Sequence, residues 1–273
     1  MRVILTKEEL ERLQKGGRVE ITTDLGKSFT KFNVKDDKVE FDGQILDLTK
    51  LPKLDEKTCY TVLDNKLVKI QFFSDETNRF YKLNPTKDWP TISLSSTPMH
   101  KVSASTPKQD TLTKMKALGE IKGSALDTCC GLGYTAIQLA KKCDEVFSFE
   151  KDPNVLEIAK YNPYSDDLFT NKKIKLKVKD IYEEINKFGK NYFDVIIHDP
   201  PTVKYAPELY SLEFYAELYK VLKRYGKVYH YTPLPQIKTT NRFFPDEVRK
   251  RLLKAKFQSV KYVEQCQGFV FSK

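Results

Sequence analysis

Ala125-Leu126-Asp127-Thr128-Cys129-Cys130-Gly131-Leu132-Gly133-Tyr134-Thr135-Ala136 is the stretch on which the reading of this chain turns. A short apolar run ends in an acid, passes through small residues and two glycines, and opens into the helical pattern Ala136-Ile137-Gln138-Leu139-Ala140. That order predicts a strand, a tight turn and a helix start. Glycines there let the backbone approach a ligand, and the N–H groups of the first helical turn offer donors to its polar atoms. The spacing Gly131-x-Gly133-x-x-Ala136 also satisfies the dinucleotide fingerprint, so the loop alone does not name its ligand.

Outward from the loop, strands and helices alternate. Strands are expected at 124–127, 145–150, 174–178, 193–198 and 227–231, with helices over 134–142, 153–161, 181–188 and 212–225 between them. This pace means a parallel sheet flanked by helices, an α/β fold. A helix over 246–256 and strands at 259–264 and 269–272 follow. Two strands joined by so few residues must run antiparallel, so the sheet ends in a hairpin.

Upstream the pattern differs. Thr6 with Glu9 makes a capping box for one short helix that stops at Gly16-Gly17, and short strand-like pieces follow from Arg18 to Leu83. Asp42-Gly43 and Asp64-Asn65 sit where hairpin turns would. Prolines and serines at 84–98 punctuate a junction, and Thr106-Pro107-Lys108-Gln109 reads as the cap of a helix that runs to Gly119. The expected division is a small β-rich domain over 1–97, a candidate for RNA recognition, and a Rossmann-like domain over 98–273.

Of the 273 residues, 40% are apolar and 31% charged, and no run approaches the roughly 18 apolar residues of a membrane span. The beginning of the chain is too acidic for a signal or transit peptide, so a cytoplasmic location without membrane attachment is expected. Five cysteines, odd in number and without metal-ligand spacing, read as reduced thiols, and no metal is expected. The net charge is +10, and it is uneven: residues 1–98 hold 17 Lys and Arg against 16 Asp and Glu, the rest 30 against 21. A basic surface draws polyanions, which makes nucleic acid the natural partner class, with a generally lysine-rich surface as the bland alternative.

Three further strand ends face the same crevice. Glu150, in Phe149-Glu150-Lys151-Asp152-Pro153, lies where a nucleotide fold wants an acid for the ribose hydroxyls. Asp180, before Ile181, either accepts from an adenine amino group or caps the next helix. The fourth strand ends in His198-Asp199-Pro200-Pro201-Thr202. A carboxylate and the Pro200 carbonyl, held rigid by two prolines, can both accept from one exocyclic NH2. Fixing both protons pulls the nitrogen lone pair out of conjugation and towards a methyl carbon on a sulfonium placed by the glycine loop.

With these residues in place the chain resembles a class I S-adenosylmethionine-dependent methyltransferase over residues 99–273. Asp127-x-Cys129-x-Gly131-x-Gly133 is similar to that family's cofactor motif, and Glu150, Asp180 and Asp199-Pro200-Pro201 fall where its ribose, adenine and amino-methylating motifs belong. The resemblance implies a seven-stranded Rossmann-like sheet with a reversed last strand and S-adenosylmethionine as cofactor. It implies contacts from Asp127, Cys129, Gly131, Gly133, Tyr134, Thr135, Glu150, Lys151, Asp180 and Ile181, and catalysis at Asp199, Pro200 and Pro201. Met99-His100-Lys101-Val102, Asn162-Pro163-Tyr164-Ser165 and Leu209 to Tyr215 extend the likeness to an archaeal predicted methyltransferase group, whose targets are RNA amino groups, ribosomal N4-cytidine above all. Amino methyltransferases usually carry an aromatic residue after the two prolines to stack the base; here it is Thr202, and Tyr205 could supply the face instead.

Competing readings use the same residues. A nicotinamide dehydrogenase does not explain Asp199-Pro200-Pro201. Carbon methylation needs a cysteine opposite the methyl donor, and Cys129 and Cys130 lie in the cofactor loop. Aminopropyl transfer, or another small-molecule amine transfer on the same fold, wants several acids where Asp199 is the obvious one. His198 and His230 sit at strand ends, where each either relays a proton or packs. The lysines at 172, 173, 175, 177 and 179 read as an edge strand protecting itself, with Ile174, Leu176 and Val178 inward. Arg242, with its basic neighbours downstream, is the better candidate for substrate contact.

Overall fold

Short apolar runs flanked by acids and glycines become the strands of a seven-stranded sheet. The computed structural model describes residues 2–103, 105–233 and 244–273. It divides the chain into two compact units: residues up to Lys108 together with Asn154–Asp166, and Gln109–Pro153 together with Asp167–Lys273.

In the second unit we number the strands β1 (Ser124–Asp127), β2 (Glu145–Glu150), β3 (Ile174–Val178), β4 (Phe193–His198), β5 (Leu222–Tyr231), β6 (Gln258–Val263) and β7 (Gly268–Ser272). Their order is β3-β2-β1-β4-β5-β7-β6. The first five run parallel, β7 lies antiparallel to β5, and β6 antiparallel to β7. This is the Rossmann-like arrangement with a terminal hairpin. The principal helices are α1 (Pro107–Leu118), α2 (Tyr134–Ala140), α3 (Leu212–Val221) and α4 (Phe244–Lys254). Phe214, Leu218 and Val221 of α3 and Val248 and Leu252 of α4 are buried in one cluster with Leu126, Ile196, Val228 and Phe271 of the sheet. Each such side chain contributes about 1.5–3 kcal/mol of burial.

Two local expectations are corrected. The helix expected to reach residue 225 ends at Val221, because Leu222 is fully buried as the first residue of β5 opposite Phe193. The register then slips, with Val195 opposite Lys227, and the extra residues are turned by Tyr225 at φ +66°. β3 is the sheet edge its lysines suggested, but Val178 at its end is 51% exposed rather than inward.

The first unit holds the helix Lys7–Leu13 and small antiparallel sheets. Both halves of the capping box form at Thr6 and Glu9. Asp42, Gly43, Asp64 and Asn65 all have positive φ, as two-residue hairpins between Phe41 and Gln44 and between Leu63 and Lys66 require. Leu5, Leu10, Ile21, Val39, Phe41 and Tyr60 share its core.

The segment after β2 also belongs here. Tyr164 donates its hydroxyl to the Leu25 carbonyl (3.1 Å) and its ring lies 5.8 Å from that of Trp89. Asn162, 1% exposed, accepts from the Tyr164 N–H (3.1 Å) and donates to Ser165 Oγ (2.7 Å). Asn162-Pro163-Tyr164-Ser165 is thus a rigid bracket. No helix of the described residues is long and apolar enough to cross a membrane, and no group of His, Cys, Asp and Glu among them is placed to hold a metal. Replacing Asn162 by Ala removes both bonds at a buried site and should cost about 1–3 kcal/mol in urea unfolding; a loss within error would show that the bracket is not needed.

Candidate active site

The glycine turn is held from two sides. The Cys130 N–H donates to the Phe149 carbonyl (2.7 Å), and the Gly131 N–H to Glu150 Oε2 (2.8 Å). Glu150 Oε1 accepts from the Asp152 N–H (3.0 Å), so one carboxylate ties the loop after β1 to the turn after β2. Burial pushes the Glu150 carboxyl up, against these backbone donors. Gly133 caps α2 at φ +82°, and a Cβ there would meet Leu168 Cδ2 at 2.7 Å. Gly131, at φ +55°, has nothing within 4 Å of the place its Cβ would take. The turn therefore presents bare backbone to an open cradle beside Glu150, which is the fit S-adenosylmethionine requires of it.

Asp127 has an inner role. It is fully buried, accepting from Thr135 Oγ1 (2.9 Å) and Ser148 Oγ (2.8 Å), so it binds the first turn of α2 and β2 to the end of β1. Burial raises its carboxyl to about 7. Tyr134 and Thr135 are buried with it. Cys129 is half-buried and Cys130 buried, and burial pushes both thiols well above their ordinary value, so they stand as neutral thiols. Asp180 caps the short helix that begins at Ile181, accepting from the Tyr182 N–H (2.9 Å), and its Oδ2 pairs with Lys151 Nζ at 2.5 Å.

His198 is turned inward. Its Nε2 lies 2.9 Å from the Leu209 carbonyl, which can only accept, so Nε2 carries the proton and Nδ1 accepts from the Thr128 hydroxyl at 2.8 Å. Burial lowers its pKa to about 4. His230 is likewise buried, with Nε2 against the Tyr215 hydroxyl (2.8 Å) and Nδ1 towards the His198 carbonyl (3.4 Å). The two rings, 4.5 Å apart, are neutral pins between β4, β5 and α3. His198, which the sequence leaves as either a proton relay or a packed residue, has both nitrogens engaged inside the protein.

Asp199 stands at the exit of β4, half-buried. Its Oδ2 accepts from Lys114 Nζ at 2.6 Å. Lys114 is 5% exposed, and also pairs with Asp110 Oδ2 at 2.6 Å. Burial alone would lower the Lys114 pKa, but the charges of Asp199 and Asp110 overcome it and hold the ammonium well above its ordinary value. The Tyr210 hydroxyl occupies the Pro201 carbonyl (3.0 Å), which fixes the turn. Thr202 and Tyr205 are exposed, on a turn closed by the Tyr205 N–H to the Thr202 carbonyl (2.8 Å). Arg242 lies outside the described residues.

Asp110 and Lys114 escaped the sequence reading, where they pass for an ordinary i,i+4 pair. A signal exists: Pro107, Asp110, Thr111, Lys114, Met115 and Leu118 form the buried stripe of α1, and two charges interrupt it.

A sheet of this order with a glycine turn and an acidic proline turn at adjacent strand exits defines a class I S-adenosylmethionine-dependent methyltransferase, and S-adenosylmethionine is its cofactor. The chain belongs to the "Methyltransferase small domain" family, whose model matches residues 108–273. It is 42% identical over 251 residues to an uncharacterized protein of Methanocaldococcus jannaschii, MJ1233, covering 92% of this chain and 83% of that one. Among solved structures it is similar in fold to spermidine synthase from Thermotoga maritima, at 20% identity and a TM-score of 0.56 over 79% of this chain and 78% of that one. A spermidine synthase bound to the transition-state analogue AdoDATO is similar at 19% identity and a TM-score of 0.59, with the same coverage.

Gly131→Ala should cost about 1 kcal/mol of stability for its left-handed backbone, yet weaken S-adenosylhomocysteine binding more than about tenfold in calorimetry by filling the cradle. Gly133→Ala, which also collides with Leu168, should cost more stability. Equal binding by the Gly131 variant would move the cofactor elsewhere.

The buried carboxyl and imidazole give opposite pH dependences. The folded Asp127, at about 7 against an ordinary 3.8, keeps a proton the unfolded chain releases, so its contribution is present below pH 3.8 and fades as pH rises to about 7. His198, at about 4 against 6.5, contributes above pH 6.5 and loses that contribution as pH falls to about 4. Asp127→Asn should therefore gain stability relative to wild type as pH rises from 3.8 to about 7, and fall more steeply below pH 6.5. Parallel pH profiles in urea unfolding would contradict the buried carboxyl.

Proposed function

We propose that the protein transfers a methyl group from S-adenosylmethionine to an exocyclic amino group of a structured RNA, with N4 of a ribosomal cytidine as the preferred target. The observation that carries this reading is the Asp199 turn: Oδ2 is held by Lys114, the Pro201 carbonyl is held by Tyr210, and Oδ1 and the Pro200 carbonyl are left as acceptors on a rigid turn at the exit of β4. The bound cofactor supplies an electrophilic methyl carbon on a sulfonium. Asp199 Oδ1 and the Pro200 carbonyl each accept one N–H of the target amine, which frees the nitrogen lone pair for in-line attack. The nitrogen then gives up its extra proton on the Asp199 side. Cys129 and Cys130 take no part, since no covalent intermediate is required. Support for RNA comes from the excess of positive charge in residues 99–273.

A second reading, aminopropyl transfer or other small-molecule amine transfer, is favoured by the second acid, Asp110, behind Asp199. The lysine between the two acids counts against a polyammonium substrate.

Asp199→Ala should lower methyl transfer by about a thousandfold while S-adenosylhomocysteine affinity stays within about twofold. Mass spectrometry of nucleosides from ribosomal and transfer RNA of a deletion strain should show the loss of one methylated amino nucleoside. An unchanged nucleoside profile would remove the RNA reading, and retained activity of the variant would remove the amine mechanism.

A further inference from the structure

The least expected feature of the site is a lysine, 5% exposed, wedged between two carboxylates at 2.6 Å each. A buried ion triad of this kind stabilises a fold weakly, because desolvation of the three charges offsets most of their attraction. Its position is more informative than its energy. Asp110 is 4% exposed on the inner face of α1, and the rings of Tyr229 and Tyr231 flank the ammonium at 5.9 and 5.5 Å. From α1, β4 and β5, the groups shown against Lys114 are thus Asp110, Asp199 and the two tyrosines. Of the three ions only Asp199 reaches appreciable solvent, its side chain being 23% exposed.

We propose that Lys114 positions Asp199 and selects the charge state of the acceptor: by holding Oδ2 it leaves one carboxylate oxygen for the incoming amine, and it turns away amines that arrive as ammonium ions. This deepens the reading of Asp199 as the amine acceptor and rests on it. An ammonium bound at Oδ1 would sit roughly 5 Å from the Lys114 ammonium, given ordinary hydrogen-bond lengths on the two oxygens of one carboxylate. Two like charges at that distance repel, which offsets part of the attraction of the carboxylate for a cation. A neutral, planar amino group, such as that of a nucleobase, meets no such penalty. Fixing Oδ2 also removes the rotation by which Asp199 could chelate a cation with both oxygens. Asp110 partly neutralises Lys114, so it sets how strong the rejection is.

Sinefungin tests this without any substrate, because it carries an amine where the cofactor carries its methyl group. The ratio of sinefungin to S-adenosylhomocysteine affinity is measured by calorimetry for wild type, Lys114→Met, Lys114→Arg, Asp110→Asn and Asp199→Asn. Lys114→Met should raise the ratio about tenfold, Lys114→Arg should keep the wild-type value, and Asp110→Asn should lower it about threefold, since Lys114 is then less neutralised. Opposite movements in the Met and Asn variants cannot come from a merely structural role, and Asp110→Asn also serves if Lys114→Met fails to fold. Unchanged ratios in both, with Asp199→Asn lowering the ratio, would overturn the role of Lys114 alone. An unchanged ratio in Asp199→Asn would overturn the amine-acceptor reading beneath it. With undermethylated ribosomal RNA as acceptor, Lys114→Met should lower kcat about a hundredfold with KM nearly constant, and Lys114→Arg should recover most of it; a rise in KM alone would make Lys114 a binding group and overturn its positioning role.

Discussion

Ala125, Leu126 and Asp127 pair in parallel with Val195, Ile196 and Ile197, and the site depends on that one ladder. Parallel neighbours leave the sheet at the same edge, about 4.8 Å apart, so the glycine turn and the Asp199 turn must open side by side. A hydrogen bond between Thr128 and His198 clasps the two exits just below the turns. Had β4 paired elsewhere in the sheet, Asp199 would lie at least one strand further from the glycines. The order of strands is thus a chemical constraint as much as an architectural one.

Six of the seven strands were legible in the sequence to within a residue at each end, because each is an apolar run ended by a charge or turn residue. Where the sequence misled, a local pattern had two readings and a distant partner chose. Val221-Leu222 continues a helical stripe, yet Leu222 pairs with Phe193. Asn162-Pro163-Tyr164-Ser165 stands out in the sequence only through family likeness, and its role depends on Leu25 and Trp89, more than seventy residues upstream. The candidate site divides in the same way. Gly131, Glu150 and Asp199 announce themselves by type and spacing. Lys114 does not, because its partner Asp199 is 85 residues away and nothing near α1 names it.

The site holds its ionisable groups by two different devices. Asp127, His198 and His230 are buried and satisfied by neutral hydroxyls and carbonyls, and burial shifts each towards its uncharged form. Lys114 and its two acids keep their charges by pairing. The neutral groups lie behind the turns and hold the strand exits together. The charged set lies at the exit of β4, where Asp199 alone of the three is partly exposed. Rigid, uncharged support beneath one oriented carboxylate suits a reaction that needs a lone pair aimed and a hydrogen bond accepted, with no covalent intermediate.

That division bears on Thr202, the departure from the amino-methyltransferase pattern. An aromatic residue directly after the second proline would stack a base over the acceptor oxygens, and threonine offers no ring. The backbone then folds into a turn closed by the Tyr205 N–H on the Thr202 carbonyl, and Tyr205 on that turn is exposed. A ring on such a turn is less constrained than one locked behind two prolines, so in the proposed reaction the orienting work falls more heavily on Asp199 and the Pro200 carbonyl. Clamping Asp199 from behind with Lys114 is the compensation that loss calls for: where stacking fixes the base less, the acceptor of its amine must be fixed more.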